Sequence, residues 1–428
     1  MLDLSLSTTG LPCRRTGASA TGAFAALALA ATRRVDIVSL GDSNIRSGGS
    51  GWDDGIAYAM AQRFPQYATH LGIVGSDNDG YLEADGLFPS GVFGATTGIP
   101  AELAPYTLPS TGNMGPYQYY TGVNVSTAGN GLVLDAGHPI GVTGMLRAHY
   151  GFGTFVSGGG SFKPSWRRDN SPFSGLIEGT SVSAQTGAFG SARTTLDLPA
   201  DPLRNFPVRA QWSRPASGTD TMEPNFLLLW QRIERPDRTA GWSHHTLYGV
   251  GGQSLYDMAA WLIAQSDASL TNYFALLRSF HTAVSQDPVI VIRINSGAND
   301  RNETAMPSLG PAPSSDPDNA QAYVDNLAAI VLRIESIFSM NGWALSELHW
   351  LIAPTHRLSD PDDAELVSYR DAAKAWAAAR ARTSVVDFAG MMTAAEAIAS
   401  GWYDAGGAIH LTQAGYRALA VRELASGL

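Results

Sequence analysis

The sequence predicts a doubly wound α/β domain interrupted by a β-rich insert. Three observations carry this. A β-branched run, Val35 to Leu40, ends abruptly in a glycine loop, as a buried strand does where it feeds a loop. From about Gly252 onward strands and helices alternate, which implies a parallel sheet covered on both faces. Between them, from Gly75 to Trp242, Gly, Ser, Thr and Pro punctuate short apolar pieces that lack a helical period. That texture is all-β.

Taken in order, residues 1–34 form a low-charge arm rich in Ser, Thr, Ala and Gly. Arg14 and Arg15 precede a small-residue run, Gly17 to Thr32, with the outline of a secretion leader. The run is alanine-rich rather than leucine-rich and lies far from Met1, so an assembly arm held by the body of the protein or by a neighbouring subunit is expected instead. After the first strand comes a glycine-rich loop and a helix around Ile56–Arg63. The β-rich pieces are Gly131–Leu134, Gly141–Tyr150, Gly153–Val156, Ser181–Gln185, Thr194–Leu198 and Asn225–Gln231. Most of Tyr150, Phe152, Phe162 and Trp166 are expected in its interior, since aromatics dominate such cores, with a sugar platform as the alternative.

Beyond the insert, Ser254–Gln265 and Ala320–Ser339 read as helices, and Val289–Ile294 and His349–Ala353 as strands. Pro361–Arg382 is an Ala-rich helix with an acidic first turn, Ser384–Phe388 a strand and Thr412–Ala425 the closing helix. The domains are therefore the arm, 1–34; a discontinuous α/β domain, 35–75 and 246–428; and an inserted all-β domain, 76–245, sandwich or jelly-roll-like.

Composition narrows the function. The chain has 428 residues, 44% hydrophobic and 15% charged, enough apolar material for a large core. The balance of 28 basic against 38 acidic residues gives a net charge of −10, and Lys163 and Lys374 are the only lysines. No nucleic-acid partner held by phosphate neutralisation is expected. The single cysteine, Cys13, excludes an intramolecular disulfide and thiolate-built metal centres. No apolar run reaches the length of about 18 residues needed for a membrane span.

The chemistry gathers at strand ends, where open α/β sheets bind ligands. Ser43 directly follows strand one in Gly41-Asp42-Ser43-Asn44, but Ile45 breaks the G-x-S-x-G elbow. A serine needs a base, an orienting acid and an oxyanion hole. Three later segments offer them: the turn Gly249-Val250-Gly251-Gly252-Gln253-Ser254, the loop Ser296-Gly297-Ala298-Asn299-Asp300, and Asp404 with His410 before the last helix.

This ordered set resembles the SGNH (GDSL-like) hydrolase family, through Gly-Asp-Ser-Asn at 41–44, the glycine turn at 249–252, Gly-Ala-Asn-Asp at 297–300 and His-Leu-Thr at 410–412. The resemblance covers about 35–75 and 246–428 and implies a flavodoxin-like three-layer parallel sheet. It implies Ser43 as nucleophile and His410 as base, with the oxyanion hole formed by the amides of Ser43 and Gly252 and the Asn299 side chain. The family usually places its acid three residues before the histidine, where this chain has Gly407. Asp404, six residues before His410 and across Gly406-Gly407, is the expected acid, with a Ser-His dyad oriented by a backbone carbonyl as the alternative.

The implied activity is a serine esterase without metal or organic cofactor, removing O-acetyl or other short acyl groups from a polysaccharide. The alternatives are a non-catalytic glycan-binding or structural protein on the same scaffold, and a lipase or thioesterase. The chain is also similar to SGNH-type proteins of bacteriophage virions, through Gly-Asp-Ser-Asn followed by Gly51-Trp52-Asp53, the stretch Tyr150 to Arg167, and His245-Thr246-Leu247-Tyr248. That similarity implies a tail or surface location, otherwise an extracellular one, and a host surface glycan as substrate. It also implies contacts with neighbouring virion subunits through the arm, or a homo-oligomer.

Other candidates have plainer readings. Asp42 adjoins Ser43 and is expected to hydrogen-bond within its loop. His244 and His245 point to opposite faces of a strand and do not share a metal. His356 is read as structural, and Asp77-Asn78-Asp79-Gly80 as an acidic surface turn because it lacks the spacing of a calcium loop.

Overall fold

The computed structural model describes residues 22–42, 44–45, 52–64, 68–73, 131–133, 144–154, 156, 161–168, 177–188, 190–202, 208–213, 228–249, 253–302, 308–309, 319–355, 363–402 and 410–428. Among these the strands are β1 (Arg34–Gly41), β2 (Ala68–Ile73), β3 (Gly131–Val133), β4 (Leu146–Thr154), β5 (Ser161–Arg168), β6 (Ile177–Glu178) and β7 (Val182–Ser183). They continue as β8 (Gly190–Leu198), β9 (Val208–Ser213), β10 (Leu228–Glu234), β11 (Gly241–Gly249), β12 (Ile290–Ser296), β13 (Leu348–Pro354) and β14 (Thr383–Val385). The α-helices are α1 (Gly22–Ala28), α2 (Trp52–Arg63), α3 (Leu255–Ala264), α4 (Asp267–Thr282), α5 (Ala320–Met340), α6 (Ala364–Ala378), α7 (Ala394–Ala399) and α8 (Gln413–Gly427). No helix among the described residues is long and apolar enough to cross a membrane.

Strands β14-β13-β12-β1-β11-β2 are parallel neighbours. Every residue of β1 and β12 is buried, as expected of strands covered on both faces. Side chains alternate between the faces. Val35 and Ile37 join a cluster with α1, α2 and α8, while Val38 and Leu40 join one with α3, α4, α5 and α6. The result is a three-layer α/β/α arrangement beside a separate antiparallel sheet, β3-β9-β5-β6.

Helix starts follow capping chemistry. Ser254 and Asp257 form a reciprocal capping box on α3, and the side chains of Ser266, Asp363 and Thr412 cap α4, α6 and α8. The Asp363 cap starts α6 later than the expected Pro361.

Several expectations change. Helix α4 is not among the elements expected from the sequence. Residues 22–31, expected in the arm, belong to the core: Ala23, Phe24, Ala26, Leu27 and Ala30 are buried. Small residues permit this, because a Cβ on Gly427 would collide with the Phe24 ring; residues 1–21 lie outside the described residues. Strand β4, Leu146–Thr154, runs through both pieces expected at 141–150 and 153–156.

Nor do the antiparallel strands all stand apart from the parallel sheet. Strand β10 pairs with β2, β4 with β10 and β8 with β4, extending the main sheet to nine strands. The second sheet packs on this extension: Tyr150 donates to the Ser165 carbonyl at 2.9 Å and Trp166 Nε1 to that of Leu196 at 3.1 Å. Tyr150, Phe152, Phe162 and Trp166 lie in the interior.

A buried polar seam fastens the extension to the parallel strands. Asp36 accepts from Arg232 Nη1 at 2.8 Å, from Ser243, and on its other oxygen from His281 Nε2 at 2.8 Å. Glu234 receives Arg34 Nη1 at 3.0 Å and His149 Nε2 at 2.8 Å. The Arg232 guanidinium sits 4.0 Å from the Phe280 ring centroid. Burial lowers the His149 pKa against the pull of Glu234, which favours the neutral ring.

Candidate active site

Register brings three strand ends level. Gly41 of β1 pairs with Gly249 of β11 on one side and with Asn295 of β12 on the other. The chain leaves all three strands at one rim, at the point where strand order reverses, where ligands of open α/β sheets bind. A bulge opposite Ser39 and Leu40 admits Leu247 as an extra residue in β11, a device that re-aims the chain beyond it. Gly41 has no room for a side chain: a Cβ would meet the Asn295 carbonyl oxygen at 2.6 Å and run into Ile45.

Past Gly41, the loop folds around Asp42. Its Oδ1 accepts from the Asn44 backbone and side-chain amides at 2.9 Å each, and its carbonyl accepts from Ile45 N at 3.1 Å. The expected loop hydrogen bonding of Asp42 is thus observed. Asn44 Oδ1 in turn accepts from the Tyr416 hydroxyl of α8 at 2.8 Å. The helix that follows His410 is therefore bonded to the loop that follows β1.

His410 is half-buried two residues before the cap Thr412. Thr412 N donates to the Trp402 carbonyl at 2.9 Å, and Thr412 Oγ1 accepts from Gly415 N at 3.3 Å. Burial lowers the imidazole pKa below its ordinary 6.5, favouring the neutral form that takes up a proton.

On the opposite flank, the β12 loop turns through Gly297 at φ +122°, a region essentially reserved for glycine. Half-buried Asn299 donates from Nδ2 to the Gln253 carbonyl at 2.9 Å, and Asp300 Oδ1 accepts from Leu255 N at 2.8 Å. Adjacent residues thus stitch the β12 loop to the entrance of α3. Burial raises Asp42 to about 6 and, with the Asp42 charge adding to its own burial, Asp300 to about 7.

Below the rim stands a buried pillar. Arg293 of β12 contacts Glu423 of α8 through Nε at 3.2 Å and Nη2 at 3.1 Å, and both side chains are 0% exposed. The guanidinium lies 4.4 Å from the Trp52 ring centroid, and Trp52 packs on Phe388 and Tyr416 at 5.1 and 5.4 Å.

Of the residues expected at the site, His410 and Asn299 lie on segments joined to the β1 loop and to the α3 entrance, as just described. Ser43, Gly252 and Asp404 lie outside the described residues, as do His356 and 77–80. His244 is buried and bonds Ser39 Oγ at 2.8 Å. No group of three or more His, Cys, Asp or Glu suited to a metal gathers among the described residues.

The sequence alone suggests no role for Asn44, Tyr416, Arg293 or Glu423, and its signals for them are faint. Tyr416 and Glu423 are seven residues apart in α8, which places them on one helix face. Arg293 interrupts the apolar run Val289–Ile294, a charge inside an expected buried strand that calls for a partner. Asn44 stands out only as a member of the Gly-Asp-Ser-Asn block.

No protein-family model matches the chain, and no curated protein does. Among solved structures, it is similar to a lipolytic protein of the G-D-S-L family from Veillonella parvula, at 24% identity and TM-score 0.26, covering 43% of this chain and 79% of that one. It is similar to a carbohydrate esterase family 2 enzyme with a carbohydrate-binding domain from Corynascus thermopiles, at 14% identity and TM-score 0.27, covering 66% and 92%. A family two carbohydrate esterase from Cellvibrio japonicus is similar at 13% identity and TM-score 0.21, covering 63% and 85%. Likenesses this low assign neither fold nor activity to this chain.

Proposed function

We propose that the chain is a serine esterase of SGNH type that removes O-acetyl or other short acyl groups from a polysaccharide. Ser43 is the nucleophile, His410 the general base and Asp404 the acid that orients it. The amides of Ser43 and Gly252 and the Asn299 side chain form the oxyanion hole. The observation that carries this reading is the level register of Gly41, Gly249 and Asn295, with the His410 helix tied to the β1 loop through Tyr416 and Asn44.

The Ser43 hydroxyl attacks the ester carbonyl carbon while His410 takes its proton. Collapse of the tetrahedral intermediate expels the sugar alcohol, which receives that proton from the imidazolium. Water, deprotonated by His410, then attacks the acyl-serine, and the acid leaves as Ser43 regains its proton. Each oxyanion donor contributes on the order of 10²–10³ in turnover.

The inserted residues, expected at 76–245 but ending before β11 begins at Gly241, are proposed to hold the polymer. Register supports this: Ile73 pairs with Trp230, Leu228 with Phe152, and Thr154 with Gly190. The chain therefore leaves β4 for the second sheet on the edge shared with the strand-end loops.

The test compares the parent with Ser43→Ala and His410→Ala on acetylated glycans and on chromogenic acetyl and decanoyl esters. Release of acetate by the parent alone is expected. Equal release by all three proteins, or none by the parent, removes the esterase. Preference for the decanoyl ester replaces it with the lipase reading.

A further inference from the structure

The turn that carries the proposed oxyanion donor is held at both of its ends. Asn299 Nδ2 bears two N–H groups, and one donates to the Gln253 carbonyl at 2.9 Å. The second can serve an oxyanion only if the turn is fixed, because a misplacement of about 1 Å costs on the order of a hundredfold in rate.

At the near end, Ser296 closes β12. Its Oγ lies 3.1 Å from the Tyr323 hydroxyl in the first turn of α5. Its carbonyl accepts from Thr355 N at 2.8 Å and from the same hydroxyl at 3.4 Å. The Tyr323 ring is stacked on that of Tyr369 in α6, with centroids 4.7 Å apart and planes 4° from parallel, and both residues are buried. Tyr369 donates to Glu365 Oε1 at 2.6 Å, which also accepts from Nδ2 of Asn319, the residue before α5, at 3.2 Å. Gly297 follows Ser296, and a Cβ there would lie 3.6 Å from Leu366 Cδ2 and from Tyr369 Cδ2, so the turn rests on α6.

At the far end, Arg301 N donates to the Gly297 carbonyl at 3.3 Å, and Arg301 Nε to Asp363 Oδ2 at 2.8 Å. The other oxygen of Asp363 accepts from Leu366 N at 3.2 Å. One carboxylate therefore caps α6 and anchors the turn.

We propose that Tyr323 and Arg301 are positioning residues, which clamp the 296–301 turn onto α5 and α6 and so aim the Asn299 amide. Each acts through the turn rather than on the reacting atoms. The inference rests on the esterase reading for what Asn299 stabilises, whereas the clamp itself stands without it.

Hydrogen exchange of the full chain, read by mass spectrometry on peptides covering 296–302, tests the clamp. Tyr323→Phe keeps the stacked ring and removes only the hydroxyl. Both it and Arg301→Ala should speed exchange there by at least about threefold, with β1 unchanged. A smaller increase in either variant overturns the clamp. Kinetics on a chromogenic acetyl ester test the aiming. Each variant should lower kcat by at least about fivefold with KM within about threefold, short of the 10²–10³ or so lost with an oxyanion donor itself. In an Asn299→Ala background the same changes should alter kcat by less than about twofold, because the donor they aim is gone. A loss of equal size in both backgrounds, or none in the parent, overturns the aiming. A parent without esterase activity sinks the esterase reading, while the exchange rates still decide the clamp.

Discussion

Removing the carboxylate of Glu423 should destabilise the pillar beneath the site. The Arg293–Glu423 contact is bidentate and fully buried, and Arg293 Nη1 has no hydrogen-bond partner among the described residues. Glu423→Leu strands a guanidinium in the interior beside the Trp52 ring at 4.4 Å. Breaking a buried pair from one side costs about 3–5 kcal/mol, and the ring offsets about 1–2 kcal/mol of that. The expected loss is therefore about 1–4 kcal/mol. Replacing both partners, Arg293→Met with Glu423→Leu, removes the stranded charge and should lie within about 2 kcal/mol of the parent. Urea unfolding of the parent, both single variants and the double variant measures the coupling. A double variant as unstable as the sum of the singles would refute the argument.

Other outcomes follow from the same geometry. Tyr416→Phe removes the donor to Asn44 Oδ1 and should cost about 1–3 kcal/mol in urea unfolding; a loss under about 0.5 kcal/mol would show that the tie is not needed. Gly41→Ala should reduce soluble, folded protein by steric collision with Asn295 and Ile45. Gly297→Ala meets nothing closer than 3.6 Å, so its cost of about 1–3 kcal/mol arises from backbone strain at φ +122°. Because burial lowers the His410 pKa from 6.5 and the base must be neutral, kcat/KM should rise with pH to a plateau, with its midpoint below 6.5. A midpoint above 6.5 would contradict the burial argument.

The strand-end loops are legible because each short polar block follows an apolar β-branched run, as Gly41-Asp42 follows Val35–Leu40. Helix α4 is also visible in principle: Leu270, Tyr273, Phe274 and Leu277 recur at helical spacing behind the cap Ser266. Alanine-rich α1 reads as part of an arm because nothing in its small side chains signals which surface it packs on until Phe24 and Gly427 are seen to interlock. The seam is not legible. Asp36 meets Arg232 and His281 across separations of 196 and 245 residues, and no local pattern encodes such a meeting.

The shared backbone ladder between β2 and β10 has a mechanical consequence. An accessory layer joined by a flexible tether could swing to admit substrates of different girth. Here main-chain bonds and the Asp36 and Glu234 ion pairs weld it to the parallel strands, so the two move as one body and a pull on the outer strands is borne by the central ones.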